Sequence, residues 1–408
     1  MIPEESLLTL VDSLLVTIAA LLLIPSLILF VECFAALFPS RKSSRQPGAD
    51  QPQVNVLIPA HNEEAGIGLT IAALLPQLKP TDQVIVVADN CTDSTASAAR
   101  EAGAIVIERH NLELRGKGYA LDFGVRFMED NPPDVVVIVD ADCIVAPGSL
   151  AQLAQSANSY HRPIQSVYLA ESPANPSPKA AISALAFTVK NWVRLAGLYN
   201  LGMPALLTGT GMAMPWDIIQ QAHLASSNIV EDMNLGIDLA IAGYSPLFCP
   251  NAYVNSILPQ KEHAAKQQRT RWEHGHMQTM LTQAPRLLKA ALRQRRFDLF
   301  VLGLDMLVPP LSLLVMVWLL TSAIALIGVW LGASPLPAFL LGVTGGMIAV
   351  AILSAWAKYC RKQLPARTLL MVPLYVLWKI PLYFAFMFKR QKAWVRTERD
   401  IIPQKAHD

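Results

Sequence analysis

The run Val135-Val136-Val137-Ile138-Val139-Asp140-Ala141-Asp142 decides the fold. Five consecutive β-branched residues leave no polar face, so the segment predicts a strand covered on both sides, as in the middle of a parallel sheet. Two carboxylates follow it directly. In open α/β sheets ligands bind beyond the carboxyl ends of the strands, so these acids stand where chemistry is expected.

The same pattern extends upstream. Residues 54–59, 84–88 and 104–108 read as strands, and residues 67–78, 92–102 and 119–129 as helices between and after them. Strands alternating with helices predict a mostly parallel, Rossmann-like α/β sheet. The first strand runs into Pro59-Ala60-His61-Asn62-Glu63-Glu64 and the second into Asp89-Asn90-Cys91-Thr92-Asp93. Carboxylates therefore gather at one sheet edge, where they repel unless a cation or donor groups compensate. A hard divalent cation with oxygen ligands does this, and Mg²⁺ also holds substrate phosphates. Each piece has a plain structural reading too. Asp89-Asn90 suits a turn, Asp93 a helix cap, and a lone Asp-x-Asp arises by chance. The chemical reading gains weight from recurrence at successive strand ends.

Downstream, Lys117 sits between Gly116 and Gly118, which let the backbone approach a ligand; the lysine can neutralise a phosphate, or merely occupy a solvated turn. Leu207-Thr208-Gly209-Thr210-Gly211-Met212 is a second glycine-rich turn. Glu231-Asp232 follows an apolar stretch at an expected helix start, where Asp232 either caps the helix or serves as a general base for an acceptor hydroxyl. Gln268-Arg269-Thr270-Arg271-Trp272 offers donors for a diphosphate and a flat ring for a sugar; the plain alternative is a juxtamembrane anchor.

Of 408 residues, 53% are apolar and 16% charged, and the apolar excess collects at 7–38 and 299–388, as in an integral membrane protein. A net charge of +2 without a long basic tract excludes a nucleic-acid partner. The five cysteines form no C-x-x-C pair, so neither a disulfide framework nor a zinc site is indicated. Residues 14–37 are long enough to span. An acidic start (Glu4, Glu5, Asp12) and the basic Arg41, Lys42 and Arg45 after the span argue against a signal peptide and put the following domain in the cytosol. The expected divisions are a first transmembrane helix with its basic flank (1–45), a cytosolic domain (46–280), a basic amphipathic interfacial helix (281–298), membrane helices (299–390) and a basic tail (391–408). Residues 300–331 lead out and 339–356 lead back. Pro373, Lys379 and Pro381 predict that 368–388 bends or lies in the interface and returns the tail, with Trp394, to the cytosol.

These motifs in this order resemble the membrane-integrated family 2 glycosyltransferases of the cellulose synthase, hyaluronan synthase and chitin-oligosaccharide synthase type. The resemblance covers Pro59–Glu63, Asp89, Gly116–Leu121, Asp140-Ala141-Asp142, Thr208–Gly211, Glu231-Asp232 and Gln268–Trp272. It implies a GT-A domain with Mg²⁺ or Mn²⁺ and a UDP-sugar donor, inverting the anomeric centre. Donor contacts would come from Pro59, Glu63, Asp89, Lys117, Asp140, Gln268 and Arg271, and the metal would sit on Asp142 and Asp140. Asp232, with Glu231 beside it, would be the catalytic base, and Trp272, Gly209 and Thr210 would meet the acceptor. Ala88 stands where many members carry a first aspartate, and the Gly-rich turn lacks the lead of cellulose synthases. The expected product is an exopolysaccharide extended at the inner membrane. The alternatives are a membrane lipid acceptor, ceramide-like or polyprenyl, and, remotely, an inactive scaffold or transporter.

Overall fold

The protein is described here by a computed structural model covering residues 4–39, 51–171, 176–226, 228, 230–257 and 262–388. The basic cluster Arg41, Lys42 and Arg45 and the tail with Trp394 lie outside the described residues. Helix α1 (Glu4–Ala35) comes first. The α/β domain then runs β1 (Val54–Ala60), α2 (Ile67–Leu74), β2 (Gln83–Asp89), α3 (Thr95–Glu101), β3 (Ile105–Arg109), α4 (Lys117–Phe127) and β4 (Val135–Ile138). It continues through β5 (Cys143–Val145), α5 (Ser149–Tyr160), β6 (Ile164–Glu171), α6 (Pro178–Thr188), a π-helical turn (Val189–Val193) and α7 (Arg194–Asn200). β7 (Met212–Pro215), α8 (Trp216–Ile219), α9 (Glu231–Ile241) and β8 (Leu247–Ile257) complete it.

The strands form one curled sheet in the order β3-β2-β1-β4-β7-β6-β8-β5. β3, β2, β1 and β4 run parallel, β7 turns antiparallel to β4, and β6 and β8 pair in parallel again. The opening run behaves as read. Val135, Val137 and Val139 enter one apolar core with α2 and α5, while Val136 and Ile138 enter the other with α4 and α9. All five are fully buried, and each such side chain stabilises the fold by roughly 1.5–3 kcal/mol.

After the sheet come α10 (Glu262–Gln294), α11 (Phe297–Met306), α12 (Leu311–Trp330), α13 (Leu336–Ala355), α14 (Ala366–Leu369) and α15 (Val372–Phe388). Among the described residues, three helices are long and apolar enough to cross a membrane: Thr9–Ala35 within α1, Leu311–Trp330, and Leu336–Cys360, which is α13 with a π-helical extension. α10 runs through most of the interval 281–298 expected to hold a separate interfacial helix. Pro285 lies inside the 33-residue α10 without ending it. Ala284, Leu287 and Ala291 around the proline pack on Ile237, Leu299 and Leu302, and this burial carries the helix through. Arg286 is ion-paired to Asp238 of α9 at 2.5 Å. Leu281, Leu292 and Phe297 remain exposed.

Hydrogen bonds fix the relative direction of the long helices. Asp12 near the start of α1 accepts from the Ser334 amide before α13, and Lys358 and Tyr359 after α13 donate to the Ala36 carbonyl after α1. α1 and α13 therefore run the same way. The chain enters and leaves the α/β domain at the end that carries Lys358, Arg361 and Lys362. A buried triad ties that end to the domain: Arg194 bridges Glu32 of α1 at 2.6 Å and also Asp305 of α11. Gly197 lets α7 approach α1, because a Cβ there would stand 1.9 Å from the Glu32 carbonyl oxygen.

Candidate active site

The acids of the sheet edge close around one lysine. α4 begins at Lys117 behind Gly116, whose φ of +131° is a conformation that favours glycine. The Lys117 Nζ lies 2.5 Å from Asp140 Oδ1 and 3.6 Å from Glu231 Oε1, and donates to the Gly209 carbonyl at 2.6 Å. Gly209, at φ +97°, keeps the floor open: a Cβ would stand 3.2 Å from Asp232 Oδ2 and 3.9 Å from Lys117 Nζ. The Asp140 amide donates to Thr210 Oγ1 at 3.1 Å, which fixes the turn after β4.

Glu231 and Asp232 occupy the first turn of α9, where the helix dipole favours negative charge. Burial nevertheless pushes the Glu231 carboxyl up, to about 7, against the pull of Lys117 and with the push of Asp232. Burial raises Asp232 as well, again opposed by Lys117. Lys117 behaves oppositely. Burial works against its charge, but Asp140 and then Glu231 hold it above the usual lysine range. A permanent cation thus stands between acids, one of which exchanges protons near neutrality.

Two cavities meet here. The strand-end cavity, about 520 Å³, lies among Pro59, Glu63, Asp89, Lys117, Asp140 and Asp142, with Arg271 on its rim. Asp89 is held by Arg109 at 2.6 Å and by the Asn90 side chain at 3.0 Å. Arg109 was not picked out from the sequence; a lone basic residue at the end of the third strand was its only signal. The helix-walled cavity, about 260 Å³, shares Lys117, Asp140, Asp142 and Arg271 and adds Gly209, Glu231, Asp232, Gln268 and Trp272. Gln268 faces this second cavity, and its buried Oε1 has no hydrogen-bond partner among the described residues. The Trp272 ring packs on Phe187 (centroids 5.4 Å), which packs on Tyr168 (5.1 Å). The resemblance puts Thr210 at an acceptor. Thr210 is fully buried, its hydroxyl is occupied by the Asp140 amide, and its carbonyl accepts from Gln165.

Asp140, Asp142 and Cys143 present ligand atoms within 4.8 Å of one another. Burial, then Asp142 and Asp140, raise the Cys143 thiol well above its usual range, which disfavours the thiolate. The two carboxylates alone suit a hard cation that completes its shell with water or phosphate oxygen.

The second cavity has walls that the motifs did not announce. Ser183, Phe187, Lys190 and Arg194 line up along α6, the π-turn and α7, and Pro309, Pro310 and Tyr375 add apolar surface from the membrane-type helices. Behind Trp272, Glu273 of α10 is ion-paired to the buried Lys379 of α15 and accepts from Tyr383 at 2.7 Å. This explains the lysine inside that apolar helix. α15 turns Leu374, Leu377 and Phe384 outward and Lys379 and Tyr383 inward.

Residues 52–275 match the family described as glycosyltransferase like family 2. A probable glycosyltransferase, YdaM, of Bacillus subtilis is 28% identical over 283 residues, 63% of this chain and 63% of that protein's length. The chain thus spans less than two thirds of that relative. A 4,4'-diaponeurosporenoate glycosyltransferase of Staphylococcus aureus is 33% identical over 115 residues, 27% of this chain and 30% of that one. The mannosyltransferase PcManGT from Pyrobaculum calidifontis, solved with GDP-Man and Mn²⁺, is similar in fold, with a TM-score of 0.53 at 19% identity over 92% of this chain and 100% of that one.

Proposed function

This chain belongs to glycosyltransferase family 2, and from that premise we propose that it transfers a sugar from a UDP-sugar to an acceptor at the cytosolic face of a membrane, with inversion. The observation that carries this is the junction of the two cavities. Asp140, Asp142, Lys117 and Arg271 line both, so a diphosphate held there has a nucleoside pocket on one side and Asp232 on the other.

Glu63 and Asp89 hold the uridine, with Pro59 shaping the pocket wall and Arg109 orienting Asp89. Lys117, Gln268 and Arg271 grip the diphosphate. A divalent cation, Mg²⁺ or Mn²⁺, held by Asp142 and Asp140 would neutralise charge on the departing phosphate. Asp232 takes the proton from the acceptor hydroxyl, whose oxygen bonds to the anomeric carbon as the bond to the diphosphate breaks on the opposite face. Glu231, adjacent and proton-exchanging near neutrality, tunes that base. Trp272 with Phe187 gives the entering acceptor a flat floor.

For the acceptor, the helix-walled cavity favours a membrane lipid, since α1, α12 and α15 contribute Leu29, Leu311 and Tyr375 to it. The second reading, a growing exopolysaccharide, rests on Gln268, Arg271 and Trp272 as a polymer-type motif. The layout proposed is α1 inward, α12 out and α13 back, with the α/β domain and the basic loop after α13 on the cytosolic side. α10 rests with Leu281 and Leu292 in the interface, and α15 is a half-buried hairpin arm rather than a span. Purified protein incubated with a panel of UDP-sugars, Mn²⁺ and membrane lipids tests the reading by released UDP and by the mass of the product. A single added hexose on a lipid supports the first acceptor reading and a ladder the second. No metal-dependent UDP release with any donor would overturn the function.

A further inference from the structure

Lys190 lines the helix-walled cavity and has no part in the mechanism above. It sits in the π-helical turn between α6 and α7, a device that re-aims side chains out of the regular helical register. It shares a cavity-facing stripe with Ser183, Phe187 and Arg194. Two of the other cations lining the cavity are neutralised, Arg194 by Glu32 and Asp305 and Lys117 by Asp140 and Glu231, and Arg269 and Arg271 line it as well. Lys190 makes no ion pair or side-chain hydrogen bond with any described residue. Burial lowers its pKa, while Asp232 across the cavity favours its charge. A half-buried cation that faces a cavity without an ion pair is free to take an anion there. The same cavity also carries an apolar wall from Leu29, Val308, Pro309, Pro310 and Leu311.

We propose that the acceptor is a lipid whose head group carries an anionic phosphate beside the hydroxyl to be glycosylated, with Lys190 holding the phosphate while Asp232 faces the hydroxyl. The inference rests on the lipid-acceptor reading above and narrows it to a charged head. The step itself is unchanged: the hydroxyl proton goes to Asp232, the hydroxyl oxygen bonds to the anomeric carbon, and the UDP diphosphate leaves with its electron pair. Lys190 is a specificity residue that touches the acceptor and takes no proton.

The test uses the full chain in phosphatidylcholine nanodiscs doped with dioleoyl phosphatidylglycerol, which has both phosphate and hydroxyl, or with dioleoylglycerol, which has the hydroxyl alone. Lipid retained on the protein is read by native mass spectrometry, and UDP–Mn²⁺ affinity is measured on the same preparations. The wild type is expected to retain the phosphate lipid about tenfold or more over the neutral one, a 1.4 kcal/mol preference. Lys190→Gln is expected to erase the preference and Lys190→Arg to keep it, with UDP affinity within about twofold in both, a change under 0.5 kcal/mol. Glycerol 3-phosphate, the head without the tail, is expected not to displace the lipid. Equal retention in the wild type, or an intact preference in Lys190→Gln, would overturn the proposal. So would displacement by glycerol 3-phosphate, which makes this a free-anion site. Weakened UDP binding in Lys190→Gln would assign the lysine to the donor instead and likewise overturn it. If the wild type fails to bind UDP with Mn²⁺, the function reading falls first and this inference with it.

Discussion

The strand-end cavity and the helix-walled cavity share a floor yet are assembled by opposite means. Pro59, Glu63, Asp89, Asp140 and Asp142 all follow from the ends of neighbouring parallel strands, so each is placed by a short stretch of backbone and its ladder. Lys190, the Gln268–Trp272 turn of α10 and Tyr375 come from three helical segments remote in sequence, brought together by packing of the membrane-type bundle onto the sheet. The first cavity is thus a property of a local fold, and the second a property of assembly. Damage to the first should show as lost donor binding, and damage to the second as lost turnover or lost integrity with the donor still bound.

The largest expected effect tests the boundary between them. Asp232→Asn should lower turnover on the order of 10²–10⁴-fold while UDP–Mn²⁺ affinity stays nearly intact, and Asp142→Asn should instead abolish metal-supported UDP binding. Single-turnover kinetics beside calorimetry separate the two; loss of UDP binding in Asp232→Asn would place that residue on the donor side.

A second prediction addresses assembly. Arg194→Met leaves Glu32 and Asp305 buried without their cation, a change that costs about 3–5 kcal/mol. Thermal unfolding in detergent should show the loss, with a larger shift than Arg109→Met, whose partner Asp89 borders the open cavity. Equal shifts would erase the contrast between a locally built and an assembled region.

Gly209→Ala comes next. Its φ of +97° strains any side chain, by about 1–3 kcal/mol, and the methyl presses on Asp232. Turnover should fall by about tenfold or more, with a smaller change in UDP affinity, as steady-state kinetics against UDP titration would show.

The smallest effect is on pH. Glu231 binds its proton more tightly when folded, so its contribution to stability is present at low pH and lost as pH rises from its ordinary range through about 7. Activity moves the other way. The Glu231–Asp232 pair must shed its last proton, so kcat/KM should climb through an apparent pKa near 7. Asp232→Glu should keep that limb if the pair owns it. A limb that stays flat between pH 5.5 and 8, a range spanning about 7, would detach it from the pair.

The same contrast explains what the sequence revealed. The β-branched run at 135–139 and the acids after 59, 88 and 139 were legible because strand, turn and functional group lie within a few residues of each other. β6, β7 and β8 were not anticipated, because their pairing crosses helices and reverses direction, and no local pattern encodes that. Thr210 was legible as part of a glycine turn, but the hydrogen bond its hydroxyl accepts from the Asp140 amide was not. The continuity of α10 through Pro285 was not legible, because local propensity yields there to tertiary burial. Lys190 carried one faint signal, a charge in an otherwise apolar helix, and only the π-turn shows where it points.

The Arg194 triad also sets a schedule for making the protein. Glu32 emerges early, at the close of the first membrane-type helix, and its cation follows 162 positions later. At roughly 5–20 residues per second of translation, that carboxylate waits on the order of 8–30 seconds for Arg194. Asp305 arrives later still, after another 111 positions. During that interval the nascent helix carries an unmatched acid that can be met by solvent or a lipid head. Closure of the triad marks the moment when anchor and enzyme become one body. A chain started after residue 50, intended as a soluble enzyme, would deprive Arg194 of one of its two carboxylates and expose the helix faces that α1 covers.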